Sequence, residues 1–200
     1  VQDLPFSQAA ENNCAPILRE LQSLLAGSRS VLEVGAGTGQ HATAFAAAMP
    51  QLRWQATEHP RSMAMLRPRC ELAKLDNLLP PIALDVSETP WPEPWPDAVY
   101  TANTLHIVSK ALVERFFGAC AAQGSEGSLL IVYGPFNYEG KFTSESNADF
   151  DRWLKDRDPE SGIRDFEWVD SLARRAGYRL QEDIAMPANN RLVVWKLQRT

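Results

Sequence analysis

Between Glu33 and Gly39 the chain reads E-V-G-A-G-T-G, a carboxylate followed by three glycines at alternate positions. An apolar run, Val31 to Val34, precedes the glycines, and a helix-forming run, His41 to Met49, follows them. At such a strand-to-helix turn the backbone can approach a ligand with no Cβ in the way. The N–H groups that open the helix suit an anionic group. A P-loop would need G-x-x-x-x-G-K-[ST], and no lysine lies between Arg29 and Lys74. A dinucleotide fold wants G-x-G-x-x-G. Gly35 and Gly37 fit that pattern, but Gln40 holds the third place and the extra glycine is Gly39.

Further polar residues stand where later strands should end. Glu58 lies about twenty residues past the turn, where a carboxylate suits a ribose diol; Pro60 behind it fits an ordinary acid at a helix start as well. Asp85, with Val86 beside it, suits an adenine amino group or caps a turn. In N-T-L-H, Asn103 ends a strand and His106 follows it. An ordinary imidazole, with a pKa of about 6.5, takes a proton from a hydroxyl, thiol or ammonium near neutral pH. The same position equally suits a ring that hydrogen-bonds loop backbone or lies over a nucleoside. Tyr133 and Phe136, in Y-G-P-F, can wall a pocket, with Tyr133 a second candidate for proton handling. Asn189 and Asn190, in M-P-A-N-N, bind substrate or simply make a hairpin turn.

The elements that must position these residues alternate. A helix is expected in "CAPILRELQSLLAG", with Asn13 as cap, Pro16 in its first turn and Gly27 at its end. Strands are expected at 31–34, 52–57, 80–86, 97–103 and 128–134, with helices between them. "ETPWPEPWP" has four prolines in nine residues and reads as a loop. Ser109 is placed to cap the helix "KALVERFFGACAAQ". A polar span from Pro135 carries one helix near 146–156, and a helix at "FEWVDSLARRAG" leads to two closing strands around "PANN". Strand–helix alternation predicts a mostly parallel sheet. The last connection is too short for a crossover, so the closing pair is antiparallel. Ligands in such sheets sit at the carboxyl ends of the strands.

Composition narrows the function classes. Two hundred residues, 44% apolar and 22% charged, fit a single globular domain over 1–200. Within it, residues 1–28 are an N-terminal cap segment and helix, and 135–160 a covering insertion. The net charge of −5 and scattered basic residues disfavour long nucleic acid as a partner. Cys14, Cys70 and Cys120 are odd in number and widely spaced, which points to free thiols in a reducing, cytoplasmic setting. Neither they nor His41, His59 and His106 have metal-ligand spacing, so no metal is expected. The longest apolar run, Ala44 to Met49, is far short of the ~20 residues of a membrane span, and no signal peptide is read at the start.

The E-x-G-x-G-x-G spacing resembles motif I of class I S-adenosylmethionine (SAM)-dependent methyltransferases, and seven strands with an antiparallel last one resemble their sheet. The fourth-strand loop lacks the [N/D/S]-P-P-[Y/F/W] of amino-group enzymes acting on DNA bases or glutamine, and no cysteine stands there as in 5-methylcytosine enzymes. More specifically, "LPFSQAAENN", "LEVGAGTGQHA", "ANTLHIVS", "YGPF", "FTSESNADFD", "RDPESGIRD" and "MPANNRLVVWK" resemble the domain of unknown function 938 family over nearly the whole chain. That resemblance implies a Rossmann-like α/β fold and SAM bound through Glu33, Gly35, Gly37, Glu58 and Asp85. Ala36, Gly39, Val86 and Asn103 complete the expected cofactor set. His106 and Tyr133 are then the catalytic candidates, and Phe136, Asn189 and Asn190 the substrate-facing ones. Family members carry basic residues where Asn12 and Cys14 stand here. The expected activity is methyl transfer to a small-molecule acceptor. The alternative is a SAM- or nucleoside-binding or protein-interaction module without catalysis.

Overall fold

Ser7 starts the first helix in the computed structural model, which describes residues 4–199. Its side chain accepts from the Ala10 N–H, and α1 runs Gln8–Leu24 with Pro16 inside it. The start expected at Asn13 is therefore corrected. Proline forfeits its own N–H bond and crowds the carbonyl one turn back, a cost offset by Ile17, Leu21 and Leu25, one turn apart and wholly buried. Two compact units follow from the contact pattern: residues up to Asp85 with Pro96–Thr101, and Val86–Trp95 with the chain from Ala102.

The first unit alternates strand and helix as expected: β1 (Ser30–Val34), α2 (Gln40–Ala48), β2 (Arg53–Glu58), α3 (Met63–Ala73), β3 (Ile82–Ala83) and β4 (Ala98–Ala102). Strand β1 pairs in parallel with β2 and β4, and β2 with β3. The third strand is two residues long where seven were expected. Pro80 and Pro81 carry no N–H for a ladder, so only the edge pair Ile82–Ala83 remains. Because β2 and β4 flank β1 on opposite sides, chain order reverses at β1, the kind of switch point where α/β folds open a crevice. Behind it Phe45, Trp54 and Tyr100 meet edge-on at centroid separations of 5.7–6.0 Å, and His41 stacks on Phe45 at 5.0 Å. Each such ring contributes roughly 1.5–3 kcal/mol by burial, so this cluster fixes where α2 begins.

The second unit holds α4 (Lys110–Gln123), β5 (Leu129–Gly134), β6 (Phe136–Asn137), α5 (Glu145–Arg157), β7 (Arg164–Asp165), α6 (Phe166–Arg175), β8 (Tyr178–Met186) and β9 (Asn190–Leu197). Ser109 caps α4 through the Leu112 N–H, as its position predicted. Strand β9 pairs antiparallel with both β5 and β8. Trp195 on β9 is fully buried and its Nε1 donates to Asp170 of α6 at 2.9 Å. One feature was not legible beforehand: β6 and β7 form a separate two-stranded parallel sheet, Phe136 opposite Arg164 and Asn137 opposite Asp165. The main sheet has seven strands in the order β3-β2-β1-β4-β5-β9-β8, mostly parallel with β9 reversed. That is the expected α/β architecture.

Candidate functional site

In the first unit the site is built on the turn after β1. Gly35, Gly37 and Gly39 have φ of 74°, 57° and 75°, a left-handed run that residues with a Cβ adopt at a cost. Nothing lies within 4 Å of where a Cβ on Gly37 would stand, so the turn faces open space there. The Ala36 N–H donates to the Thr57 carbonyl, which ties the turn to β2. Glu58, at the end of β2, takes the Gly37 N–H on one oxygen at 2.7 Å and the His59 N–H on the other at 2.8 Å. A carboxylate has about four acceptor positions, so each oxygen keeps capacity for a further donor. Asp85 lies 3.4 Å from His59 Nε2. Because His59 Nδ1 accepts from the Arg61 N–H, the proton of a neutral ring sits on Nε2, facing Asp85.

Glu33 lies beneath this surface. It is 2% exposed and accepts from Trp54 Nε1 at 2.7 Å. Burial lifts its pKa to about 7, with the Trp54 bond opposing and the Glu58 charge adding to the rise. Its visible task is to join β1 to β2 under the glycines.

Sequence reasoning missed the residues that fasten the N-terminal segment to this turn. Gln40 Oε1 accepts from the Ser7 N–H at 2.6 Å and from the Thr38 hydroxyl at 2.8 Å, while its Nε2 donates to Glu11. Arg69 of α3 donates to the Thr38 and Pro5 carbonyls. His41 Nε2 is 2.9 Å from the Ala10 carbonyl. The N-terminal cap segment is thus fastened to the turn from Pro5 to Glu11; residues 1–3 lie outside the described residues. Gln40, read above only as a misfit to the dinucleotide pattern, was the available signal.

In the second unit, Asn103 has a φ of 56°, uncommon for a residue with a side chain and a frequent mark of functional loops. Its N–H donates to the Tyr133 carbonyl. A Cβ on Gly134 would stand 3.4 Å from His106 Nδ1 and 4.0 Å from Asn103 Oδ1, so His106, Asn103 and the end of β5 are brought together around that glycine. His106 is 5% exposed and meets the edge of Phe150 at 5.4 Å. Burial, reinforced by the Arg164 charge, pushes its pKa down to about 4. The expectation of an ordinary imidazole is thereby corrected: the ring is neutral at pH 7 and a weak base. Tyr133 is buried, which raises its phenol to about 12, so it stays protonated, a hydroxyl able to donate.

The loop carrying His106 is gripped by residues that sequence reasoning noted only as family signature. Arg164 donates to the Leu105, Val108 and Glu160 carbonyls, Gly162 N–H to that of His106, and the Ser161 hydroxyl to that of Ile107. Four successive carbonyls, 105–108, are therefore held by residues 161–164. Asp151 of α5 secures the grip from behind, accepting from the Ile163 N–H at 2.8 Å and pairing with Lys155. An arginine and a glycine in a polar span were the only local hints.

Phe136 is buried against the edge of Phe166. Asn189 has a φ of 56°, and its carbonyl accepts from the Asn147 side chain, linking "MPANN" to the start of α5. The Asn190 amide donates to the Pro187 carbonyl. These contacts tie Asn189 to the start of α5 and Asn190 to the turn itself. Val86 begins the "VSETPWPEPWP" segment, in which Trp91 and Trp95 stack at 6.3 Å. Among the described residues no cluster of three His, Cys, Asp or Glu is arranged to hold a metal, and no helix is long and apolar enough to cross a membrane.

The depressed His106 pKa has a measurable consequence. A folded pKa below the unfolded 6.5 means that the unfolded chain binds the proton better. The stability this neutral ring contributes is complete above pH 6.5 and is lost as pH falls toward 4. His106→Asn is expected to flatten the loss of stability across that window, read from denaturant midpoints at successive pH values. An unchanged acid slope would show that His106 titrates normally. His41, also held down by burial, adds a slope of the same sign and remains in the variant.

A glycine turn at the switch point, with acids at the next strand ends and an antiparallel penultimate strand in the sheet, defines the Rossmann-like fold of class I methyltransferases. Comparisons with known proteins agree. The chain belongs to the family described as Protein of unknown function (DUF938), whose model matches residues 4–197. Its fold is similar to an O-methyltransferase family protein from Burkholderia thailandensis, with a TM-score of 0.81 and 16% identity over 95% of this chain and 57% of that one. Human N-acetylserotonin methyltransferase, solved in complex with SAM, superposes with a TM-score of 0.77 at 15% identity, over 96% of this chain and 53% of that one. An O-methyltransferase family 2 protein from Planctomyces limnophilus, in complex with apigenin, gives 0.75 at 18% identity, over 90% and 62%. The chain spans a little over half the length of each. At these identities the likeness is one of fold.

Proposed function

We propose that this chain is a SAM-dependent methyltransferase acting on a small-molecule acceptor. The observation that carries the reading is the Glu58 carboxylate, held by the Gly37 and His59 N–H groups beside an open glycine turn. These residues fit SAM: Glu58 has acceptor capacity left for a ribose diol, the uncapped start of α2 offers N–H groups to a carboxylate, and Asp85 offers an acceptor to an adenine amino group. Bound there, SAM would supply a methyl group on a sulfonium that is already a good leaving group. The chain's contribution is then mainly positioning. His106 orients and encloses rather than deprotonates, since its conjugate acid is too strong to gather an alcohol's proton at pH 7. That weak base is also what favours the second reading, a SAM- or nucleoside-binding module without catalysis.

Calorimetry with SAM, its demethylated product and NAD tests the cofactor. One-to-one binding of the first two and none of NAD is expected; tight NAD binding with no response to SAM would remove the reading. Release of labelled methyl groups to a small-molecule extract separates enzyme from binding module.

The same reading makes residues 5–14 a cover for the cofactor. Hydrogen exchange should show added protection there, and across Gly35–Gly39, when the demethylated product is bound. Protection confined to the glycine turn would show that the segment covers nothing.

A further inference from the structure

Two buried polar atoms near the end of β5 lack a hydrogen-bond partner: the Tyr133 hydroxyl and Asn137 Oδ1. Tyr133 is 1% exposed and Asn137 8%. Asn190 lies near enough to influence the phenol, yet no hydrogen bond of ordinary geometry reaches it. Native proteins pair nearly all such atoms, so an orphan needs a reason. Trp91 and Trp95 also keep unpartnered indole N–H groups. Those rings stack on each other, and Trp91 lies against the Phe116 ring. Tyr133 and Asn137 differ: Tyr133 adjoins Gly134, where His106 and Asn103 converge, and Asn137 stands three residues beyond it.

We propose that Tyr133 and Asn137 are the polar anchors of the acceptor subsite, and that the subsite takes a neutral molecule carrying both a hydrogen-bond acceptor and a donor. The inference rests on the methyltransferase reading for the word acceptor, and on the two orphaned atoms for the chemistry. The Tyr133 O–H needs a lone pair; the Asn137 oxygen needs an N–H or O–H. Four residues of chain span at most about 14 Å, so one small molecule can meet both. Charge is selected against from each side. A carboxylate brings no donor to Asn137. An ammonium brings no lone pair to the Tyr133 hydroxyl.

Benzamide, neutral and bearing a carbonyl and an amide N–H₂ on one flat ring, is the probe; benzoate and benzylamine are its charged counterparts. Dissociation constants come from ligand-observed NMR titrations of the full chain loaded with the demethylated cofactor. The wild type should prefer benzamide at least tenfold over either counterpart. Tyr133→Phe should weaken benzamide about tenfold, leave cofactor affinity unchanged, and keep or raise the melting temperature, because it deletes an atom that has no partner in the free protein. Asn137→Asp, of the same shape, should shift preference toward benzylamine at least fivefold. No benzamide preference, undiminished binding by Tyr133→Phe, or a fall of more than about 4 °C in that variant's melting temperature would overturn the proposal. The last result would mean that the hydroxyl serves the fold. A wild type that ignores the cofactor but binds benzamide as described would sink the methyltransferase reading and leave the subsite standing.

Discussion

Arg164→Ala is expected to destabilise the protein by about 3–5 kcal/mol, the cost typical of breaking a buried charged network. The guanidinium is buried and satisfies the Leu105, Val108 and Glu160 carbonyls. Truncation strands all three, and hydrogen bonds to a charged group contribute roughly 1.5–3 kcal/mol each, less than additively. Arg164→Lys keeps the charge but replaces a planar fork by a point donor that reaches one carbonyl, so an intermediate loss is expected. Urea denaturation of both variants measures this. A loss under about 1 kcal/mol in the alanine variant would show that water replaces the clamp. Under the proposed function, Arg164→Lys should also raise the KM for the acceptor while leaving cofactor affinity intact, since the loosened loop carries His106.

Glu58→Ala is expected to weaken SAM binding about ten- to hundredfold with the fold retained. A charge-assisted diol contact contributes roughly 1.5–3 kcal/mol, and each 1.4 kcal/mol is tenfold. Glu58 also accepts the Gly37 N–H, so part of the loss will come from a turn less firmly held. Glu58→Gln, which keeps one carbonyl oxygen for Gly37, separates the two contributions. It should lose less than the alanine variant if the turn matters, and as much if only the diol does. Calorimetry reads the affinity and thermal melting checks the fold. An unchanged dissociation constant in a folded alanine variant would reduce Glu58 to a strand-end acid.

Much of this architecture was legible from local pattern. The three left-handed glycines, Glu58 at the end of the second strand, the Ser109 cap and the antiparallel closing pair follow from short-range rules of backbone sterics, capping and loop length. The errors share a cause. The helix expected from Asn13 begins at Gln8 because Ser7 is held by Gln40, thirty-three residues away. The third strand shrank because what a strand needs is a partner's ladder, and its two prolines could not join one. The β6–β7 pair joins segments twenty-eight residues apart and has no periodicity of its own.

Residue types and their spacing in the chain therefore determined the α/β fold, the glycine turn and the acids at its strand ends, because each depends on backbone geometry within a few residues. Tertiary structure alone decided the electrostatics and the grip: a Glu33 pKa near 7, a His106 pKa near 4, an Arg164 that holds the His106 loop, and the unpartnered Tyr133 and Asn137 atoms. These depend on how much water is excluded and on which distant side chain arrives, and a linear pattern carries neither quantity.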